Sequence, residues 1–394
     1  MPSPEVYIVS AVRTAIGSFG GTLKDTPPCE LATTAVSVAL QRSGCAAERI
    51  GHVVMGNVIP TETRDAYLSR VAAMNAGIPK EVPAFNVNRL CGAGLQAIVS
   101  AAQSLLLGDC DIAIGAGAES MSRGPYLLPG ARWGGRMGDM QAVDYMLGIL
   151  HDPFQRMHMG ITAENIAERL GISREDQDAL ALVSQQRAAR AIAEGRFAGQ
   201  IVPVEIKSRK GTQLFEVDEH VRGDTSLEQL AGMRTAFKQG GTVTAGNASG
   251  LNDGAAAVVL ATGATVRADN LRPLARLVSY AHAGVEPELM GLGPIPATRM
   301  ALQRAGLNIA DLDVIESNEA FAAQACAVAR ELDFDPAKVN PNGSGISLGH
   351  PVGATGAIIV TKAIHELQRT QGRYALATMC IGGGQGIAAI FERV

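Results

Sequence analysis

Three short segments, far apart in the chain, place reactive side chains beside glycines. Cys91 lies in Leu-Cys-Gly-Ala-Gly, His350 lies in Leu-Gly-His-Pro-Val-Gly, and Cys380 begins Cys-Ile-Gly-Gly-Gly-Gln-Gly. Glycine lets the backbone approach a ligand closely and leaves N–H groups free to face developing negative charge. A thiol, an imidazole and a second thiol in such settings indicate acyl transfer through a thioester, followed by proton abstraction beside a carbonyl.

Each of these groups also has a structural interpretation. A buried cysteine usually packs as a small hydrophobic side chain, and a lone histidine is more often a hydrogen-bonded structural residue. Cys91 stands at the predicted start of a helix, where a thiolate is favoured, and is therefore the candidate nucleophile. Asn318 ends a predicted strand, where asparagine commonly forms a turn. The functional alternative for Asn318 is an amide that holds a water molecule in the cleft.

The glycine run after Cys380 has two interpretations, a phosphate-binding loop or an oxyanion hole. An apolar strand, Ile387 to Phe391, is predicted to follow it, and neither a helix nor a Lys-Ser/Thr pair opens there. A phosphate loop requires both. The free N–H groups of this run are therefore interpreted as an oxyanion hole.

An internal repeat predicts the elements that position these residues. The segment Ala39-Leu-Gln-Arg-Ser-Gly44 recurs as Ala301-Leu-Gln-Arg-Ala-Gly306, and the apolar segments 50–55 and 312–317 follow at the same spacing. Cys91 and His350 each precede an apolar helix that is followed by a strand. This pattern predicts two related α/β halves, each with a reactive residue near the N-terminus of a buried helix.

The segment between the halves has a different character. Charge runs and irregular stretches concentrate there, and prolines and glycines mark a long loop over residues 125–140. Ser173 and Asp176 predict the capped start of a polar helix. We predict a first half over residues 1–121 that is completed by about 250–272, an inserted loop domain over 122–249, and a second half over 273–394.

Composition narrows the classes of partner. Hydrophobic residues make up 47% of the 394 residues but aromatic residues only 4%, which is typical of tightly packed α/β layers. The net charge of −4 gives no general field that attracts nucleic acid or an anionic membrane. Lys207, Arg209 and Lys210, with Arg222 close by, form a local basic cluster. It is interpreted as a solvated loop or, alternatively, as a contact for a nucleotide phosphate.

Cysteine and histidine spacing gives no indication of a metal site. No CxxC pair occurs and no two histidines have ligand spacing, so neither a metal centre nor a dithiol redox site is expected. The N-terminal segment lacks the pattern of a secretory signal, and no run is expected to be long enough to span a membrane. A reducing cytoplasm, where a thiol nucleophile stays reduced, is the expected location.

These motifs resemble the signatures of the thiolase family. The resemblance is carried by Val-Asn-Arg-Leu-Cys-Gly, Asn-Glu-Ala-Phe-Ala, Leu-Gly-His-Pro, Cys-Ile-Gly-Gly-Gly-Gln-Gly and the Gly/Thr/Asn-rich segment 241–254. It covers essentially the whole chain and is strongest to bacterial acetoacetyl-CoA-type and broad-range β-ketothiolases. It implies an α/β thiolase fold of two βαβαβαββ halves, packed as five α-β-α-β-α layers, with an inserted loop domain over the active site.

The resemblance also implies a role for each reactive group. Cys91 takes the acyl group as a thioester after His350 removes its proton, and Cys380 is the acid/base for the second substrate. The N–H groups of Cys91 and Gly382 hold the thioester oxyanion. His350 and a water on Asn318 hold the enolate oxygen. The family's cofactor-free chemistry uses coenzyme A and acyl-CoA as substrates, and no metal is expected.

Coenzyme A contacts follow from the same resemblance. His158, Arg222, Ala245 and Ser249 are expected to contact coenzyme A, and Met159, Phe237, Met290 and Phe321 are expected to line the pantetheine and acyl path, with core packing as the alternative for the methionines and Phe237. The expected substrates are acetyl-CoA, acetoacetyl-CoA and other 3-ketoacyl-CoA, in fatty acid metabolism or polyhydroxyalkanoate precursor synthesis. A homotetramer, as a dimer of dimers with residues 125–140 as a contact, is also implied.

Three alternatives remain open at this point. A degradative 3-ketoacyl-CoA thiolase would prefer longer chains, and departures such as Ala93 and Thr235 leave the chain preference open. A ketoacyl synthase would act on carrier-protein thioesters without a second acid/base thiol, so Cys380 discriminates against it. An inactive scaffold on the same fold is disfavoured by the intact reactive set.

Overall fold

A computed structural model describes residues 5–209 and 211–394. Residues 1–4, where the segment examined for a secretory signal begins, and Lys210 of the basic cluster lie outside the described residues. The strands within the described ranges are β1 (Val6–Thr14), β2 (Gly17–Ser18), β3 (His52–Gly56), β4 (Ala84–Val87), β5 (Ile112–Ser120), β6 (Tyr126–Leu127), β7 (Val143–Asp144), β8 (Ile201–Val202), β9 (Val204–Ser208), β10 (Gly211–Phe215), β11 (Asn252–Thr262), β12 (Ala275–Gly284), β13 (Val314–Ser317), β14 (Tyr374–Ile381) and β15 (Gln385–Arg393).

The α-helices of the same residues are α1 (Pro28–Ser43), α2 (Leu68–Asn75), α3 (Ala93–Leu107), α4 (Tyr145–Ile149), α5 (Met159–Leu170), α6 (Arg174–Ala193), α7 (Leu227–Ala231), α8 (Gly263–Ala268), α9 (Pro294–Ala305), α10 (Ala322–Glu331), α11 (Gly345–Leu348) and α12 (Val352–Thr370). Short 3₁₀ turns cover Ala47–Arg49, Thr63–Tyr67, Met121–Arg123, Ala131–Trp133, Pro287–Leu292 and Ile309–Asp311.

The predicted layers are confirmed, with the two half-sheets joined along one edge. The main sheet of the described residues has the order β13-β14-β15-β12-β1-β11-β5-β3-β4. The halves meet where β1 pairs antiparallel with β12, with Tyr7 opposite Arg276. Helix α12 contacts α3 and strands of both half-sheets, and α3 contacts strands of the first half. Helix α1 packs against the first half-sheet and α9 against the second. The result is the alternation of helix and sheet layers that buries both faces of the sheet.

The internal repeat corresponds to equivalent elements. Helices α1 and α9 both end at a glycine in the left-handed region, Gly44 with φ 71° and Gly306 with φ 67°, and both lead through a short turn into a buried strand. Glycine adopts this conformation without the steric cost that a β-carbon would bring. The repeated sequence therefore encodes a helix, its C-terminal cap and the following strand.

The second half departs from the expected βαβαβαββ order. The first half contains all of these strands, but the position equivalent to β4 is reduced in the second half to a single bridge between Val339 and Ile315. Pro336 and Pro341 flank Val339. Because proline has no N–H to donate to a strand ladder, a paired strand here is confined to the four residues between the two prolines, and only Val339 among them forms a bridge.

Helix α3 forms the centre of the fold. By length and apolar composition the segment Leu90–Leu107 could cross a membrane, so the expectation that no such run exists is wrong. Within the folded protein 67% of this segment is buried, and α3 packs there against α12 and β5. Its apolar character is accounted for by its place between the two half-sheets, where both faces of the helix are covered.

The segment between β5 and β11 carries helices α4 to α7 and the hairpin β9–β10. Ser173 caps α6 as expected, since its hydroxyl accepts from the Asp176 N–H at 3.0 Å while the Asp176 carboxylate accepts from the Ser173 N–H at 3.1 Å. A buried ion pair ties the segment to β1: the Arg13 guanidinium donates to both carboxylate oxygens of Asp218, at 2.7 and 2.9 Å. The predicted domain boundaries at 121 and 249 stay a prediction.

Candidate active site

A cavity of about 900 Å³ lies between the paired halves and the inserted segment. Every predicted coenzyme A contact lines it, together with three of the predicted catalytic residues. These lining residues are Cys91, His350 and Gly382, and His158, Met159, Arg222, Phe237, Ala245, Ser249, Met290 and Phe321. Cys380 and Asn318 are buried, at 0% and 1% exposure. The fold thus brings together residues that are separated by nearly 300 positions in the chain.

Cys91 sits on a sharp turn between β4 and α3. Leu90, directly before it, has φ 46°, a left-handed conformation that is unfavourable for a residue with a β-carbon. Gly92, directly after it, lies so close to Ile381 that a β-carbon would come within 2.5 Å of the Ile381 Cδ1. The strained turn and the glycine together let the Cys91 thiol face the cavity. Strain of this kind persists only where the surrounding structure holds it.

Burial controls the protonation of Cys91. It raises the pKa of the thiol to about 11, while the backbone N–H groups of Gly382 and of Cys91 itself, which both reach the sulfur, act in the opposite direction. The expectation that the helix start favours a resting thiolate is therefore wrong, because desolvation outweighs these donors. Cys91 needs a base to become a nucleophile. The same two N–H groups are the predicted oxyanion hole, and both reach the Cys91 sulfur, beside which a tetrahedral oxyanion would form.

His350 can supply this base. Its side chain is 5% exposed and lines the same cavity, and its backbone N–H donates to Oδ1 of Asn252 at 2.9 Å. Burial lowers the pKa of the imidazole to about 4, so the ring is neutral near pH 7. Gly349 is required for this placement, because it has φ 106° and a β-carbon there would lie 2.5 Å from Cγ of Asn252.

Cys380 lies behind the cavity wall, next to last in β14. It packs in one buried cluster with Met159, Met290 and Phe321. Burial raises the pKa of the Cys380 thiol, and a negative charge on Cys91 raises it further. In the resting protein both thiols are therefore protonated. A thiol with a raised pKa acts as a base only after it has lost its proton. A positive charge nearby would favour that thiolate form.

Asn318 directly follows β13 and faces His350. Its Nδ2 lies 3.5 Å from Nε2 of His350, and its backbone N–H donates to the Thr378 carbonyl at 3.0 Å. Among the described residues its buried Oδ1 has no hydrogen-bond partner. Leaving such an atom unpaired costs about 1–3 kcal/mol, so it is suited to accept from a water or ligand group. This favours the functional interpretation of Asn318 over a simple turn former.

Glu119 is a residue of the site that the sequence analysis did not single out. Its buried carboxylate accepts from the N–H groups of Val58, Ile59 and Gly353 at 3.1, 3.0 and 2.9 Å. Burial raises its pKa to about 8, and these hydrogen bonds oppose the shift. Glu119 thereby joins the loop after β3 to the start of α12, which follows His350. A glutamate inside an otherwise apolar strand was the signal that could have revealed it.

The predicted coenzyme A residues form the open side of the cavity. Nδ1 of His158 accepts from the Gly160 N–H at 3.0 Å, so its hydrogen is on Nε2, and its ring stacks on Phe237 at 4.6 Å. Arg222 is exposed at the rim, and its backbone N–H donates to Gln185 at 2.8 Å. Lys207 and Arg209 lie on or beside the hairpin β9–β10 and do not line this cavity. The hairpin placement favours the solvated-loop interpretation of that cluster.

The structure is consistent with both interpretations of the apolar residues near Cys380, which are core packing and lining of the acyl path. These residues are Met159, Met290 and Phe321. They belong to the buried cluster around Cys380 and they also line the cavity, and Phe237 packs against the same cluster. An apolar wall directly beside the reactive thiols excludes water from the reaction and leaves space for an acyl chain. Unbranched methionine side chains adapt to chains of different shape.

Comparison with known proteins decides the family. The family description "Thiolase, N-terminal domain" matches residues 6–264, and "Thiolase, C-terminal domain" matches residues 271–393. The chain belongs to the thiolase family. It is 65% identical over 391 residues to a protein of Cupriavidus necator named beta-ketothiolase BktB, with 99% of each chain covered.

Other thiolases are also similar to this chain over almost their whole length. An acetyl-CoA acetyltransferase of Chromobacterium violaceum is 51% identical, over 99% of this chain and 100% of that protein. The crystal structure of human mitochondrial 3-ketoacyl-CoA thiolase in complex with CoA superposes with a TM-score of 0.97 at 44% identity, covering 99% of this chain and 98% of that one. The thiolase fold and the acyltransferase class expected from the sequence are thus confirmed.

Proposed function

We propose that this thiolase catalyses reversible carbon–carbon bond formation between acyl-CoA thioesters: two acyl-CoA molecules give a 3-ketoacyl-CoA and coenzyme A. The observation that carries the proposal is the cavity itself. Cys91, His350 and Gly382 all line it, and the second thiol, Cys380, is buried with residues of its wall, which supports the roles proposed for them. The relatives named beta-ketothiolase and acetyl-CoA acetyltransferase support the same reaction.

The first half-reaction acylates Cys91. His350 takes the thiol proton as Cys91 attacks the thioester carbonyl, and the tetrahedral oxyanion accepts hydrogen bonds from the N–H groups of Cys91 and Gly382. When the intermediate collapses, the carbon–sulfur bond to coenzyme A breaks. The departing thiolate takes the proton of Cys380 and leaves as neutral coenzyme A. This leaves an acyl-Cys91 thioester, an imidazolium at His350 and a thiolate at Cys380.

The second half-reaction uses both charges. The Cys380 thiolate removes a proton from the carbon next to the carbonyl of a second acyl-CoA, and the enolate oxygen is held by the His350 imidazolium and a water on Asn318. The enolate carbon attacks the acyl-Cys91 carbonyl. Expulsion of Cys91, which takes back the proton from His350, releases the 3-ketoacyl-CoA and restores both neutral thiols. The cation formed at His350 stabilises the Cys380 thiolate that the buried site otherwise disfavours.

The pH dependence of the first half-reaction should report the neutral base. Because burial lowers the pKa of His350 to about 4 from its ordinary 6.5, the imidazole remains an active base well below pH 6.5. The rate of Cys91 acetylation at low acetyl-CoA concentration should therefore stay level from pH 7.5 down to about 5 and fall only as pH 4 is approached. Stopped-flow release of coenzyme A measures this. A fall in the acetylation rate below about pH 6.5, without a matching fall in the affinity for coenzyme A, would contradict this prediction.

The substrate range tests the reaction itself. The cavity has a volume of about 900 Å³, and its apolar wall includes Met159, Met290 and Phe321. It therefore has space for an acyl group larger than acetyl. We expect coenzyme A-dependent cleavage of 3-ketovaleryl-CoA as well as acetoacetyl-CoA, measured as loss of the 3-ketoacyl-CoA across chain lengths. Highest activity on long chains would favour the degradative alternative. Absence of cleavage for every chain length would refute the proposed reaction.

Assembly and location belong to the same proposal. Residues 125–140 expose large apolar side chains, including Trp133 at 90% and Met137 at 96%, and exposed apolar patches of this kind are typical of interfaces. They support a homotetramer in which this segment is the contact. The free thiols at all six cysteines support a reducing cytoplasm. A role in supplying polyhydroxyalkanoate precursors remains a proposal that the relatives' acyl-CoA chemistry supports.

A further inference from the structure

The ring of His350 is held by Thr355, a residue that the steps above do not use. Nδ1 of His350 lies 2.7 Å from the Thr355 hydroxyl oxygen, which in turn lies 2.9 Å from the Pro351 carbonyl oxygen. Thr355 belongs to the first turns of α12 and is 3% exposed. Water therefore has little access to this contact, and the hydroxyl is the partner that the structure gives Nδ1.

The positions of the hydrogens follow from these contacts. A threonine hydroxyl has a single hydrogen, and in a helix it commonly donates it to the carbonyl four residues earlier, here that of Pro351. The lone pairs of the same oxygen then face Nδ1, which must carry the ring hydrogen. Nε2 is met by the amide nitrogen of Asn318 at 3.5 Å. This separation is at the limit of a hydrogen bond and leaves the Nε2 lone pair free, so the tautomer is assigned from the Thr355 contact.

We propose that Thr355 is a positioning residue that keeps neutral His350 in the Nδ1–H tautomer, with the Nε2 lone pair facing the cavity that Cys91 lines. This inference rests on the proposed function and deepens it. In the other tautomer the ring would present a hydrogen on Nε2 and could not accept the thiol proton there. Once the proton has moved, both ring nitrogens carry hydrogens and the Nδ1–H bond to Thr355 becomes charge-assisted, which strengthens it.

The test compares two substitutions at Thr355 with a matched control. Thr355→Val keeps the shape but removes the oxygen, whereas Thr355→Ser keeps the oxygen. Thr361 is a buried threonine of the same helix whose hydroxyl donates to the Ala357 carbonyl at 2.9 Å, so Thr361→Val removes an equivalent helical hydrogen bond away from His350.

Thr355→Val should slow the acetylation of Cys91 by about 10- to 100-fold, the range expected for losing a hydrogen bond to a charged group. Its Kd for coenzyme A should be unchanged. Thr355→Ser should acetylate at close to the wild-type rate, and so should Thr361→Val. If Thr355→Val acetylates at the wild-type rate, or if Thr361→Val is slowed equally, Thr355 acts only in packing and the inference is overturned.

A spectroscopic readout needs no variant of Thr355. Long-range ¹H–¹⁵N spectra of the ¹⁵N-histidine-labelled protein, with His350 assigned by its loss in His350→Asn, show which ring nitrogen carries the hydrogen. Wild-type protein should show Nδ1–H, and an Nε2–H ring would overturn the inference even if Thr355→Val failed to fold. A wild-type protein that never acetylates Cys91 would instead refute the proposed function, and the ring spectrum would still decide the role of Thr355.

Discussion

Replacing Cys380 by serine should abolish most condensation and thiolysis while largely retaining the exchange of labelled coenzyme A into acetyl-CoA. Exchange needs only the acylation of Cys91, and in the variant the His350 imidazolium can return the proton to the departing thiolate, which is a good leaving group. Carbon–carbon bond formation also needs a base strong enough for a carbon acid. Losing a positioned acid/base typically slows the step it serves by ~10²–10⁴-fold.

The measurement is the ratio of exchange to condensation in wild type and in Cys380→Ser. Cys110→Ser is the matched control, because Cys110 is a half-buried thiol with a raised pKa that does not line the cavity. Its ratio should equal that of wild type. Thermal unfolding of both variants separates a local effect from misfolding. A parallel fall of both activities in folded Cys380→Ser would assign Cys380 to acylation or to packing and would refute the separation of the two thiols.

Replacing Cys91 by serine should remove both activities, by on the order of 10⁴-fold or more, the scale seen when a covalent nucleophile is lost. The reason lies in the same geometry. A serine hydroxyl ionises far less readily than a thiol, and the burial that already raises the pKa of Cys91 to about 11 would penalise an alkoxide further. Coenzyme A binding should persist, since Arg222 and His158 are unchanged. Exchange at the wild-type rate in Cys91→Ser would show that another residue carries the acyl group, because an oxygen ester at position 91 would form far more slowly.

The sequence predicted the residues of this site better than their electrostatics. Cys91, His350 and Gly382 were predictable because each stands in a glycine-rich motif, and glycines such as Gly349 are needed where a β-carbon would clash. The direction of the Cys91 pKa shift was not predictable. A helix start favours a thiolate, but desolvation favours the thiol, and only the packed structure shows which of the two effects is larger.

Residues that act through others were the hardest to find. Glu119 and Thr355 occur in apolar segments with no motif of their own, and their roles arise from contacts with backbone groups or side chains of the packed fold. The shortened second half had a visible cause in Pro336 and Pro341, but the repeat favoured a full strand there. Local pattern therefore predicts which elements form, whereas long-range packing decides which polar side chains they bring together.

The most direct test of the acyl-enzyme mechanism is peptide mass spectrometry of the protein quenched after brief exposure to acetyl-CoA. Cys380→Ser is the suitable form, because it should acetylate but not proceed to condensation. A single acetyl group on the peptide that contains Cys91, removed by added coenzyme A, is the predicted result. Acetylation of a different residue, or a folded protein that exchanges coenzyme A without any acetyl group on Cys91, would contradict the thioester mechanism proposed for this thiolase.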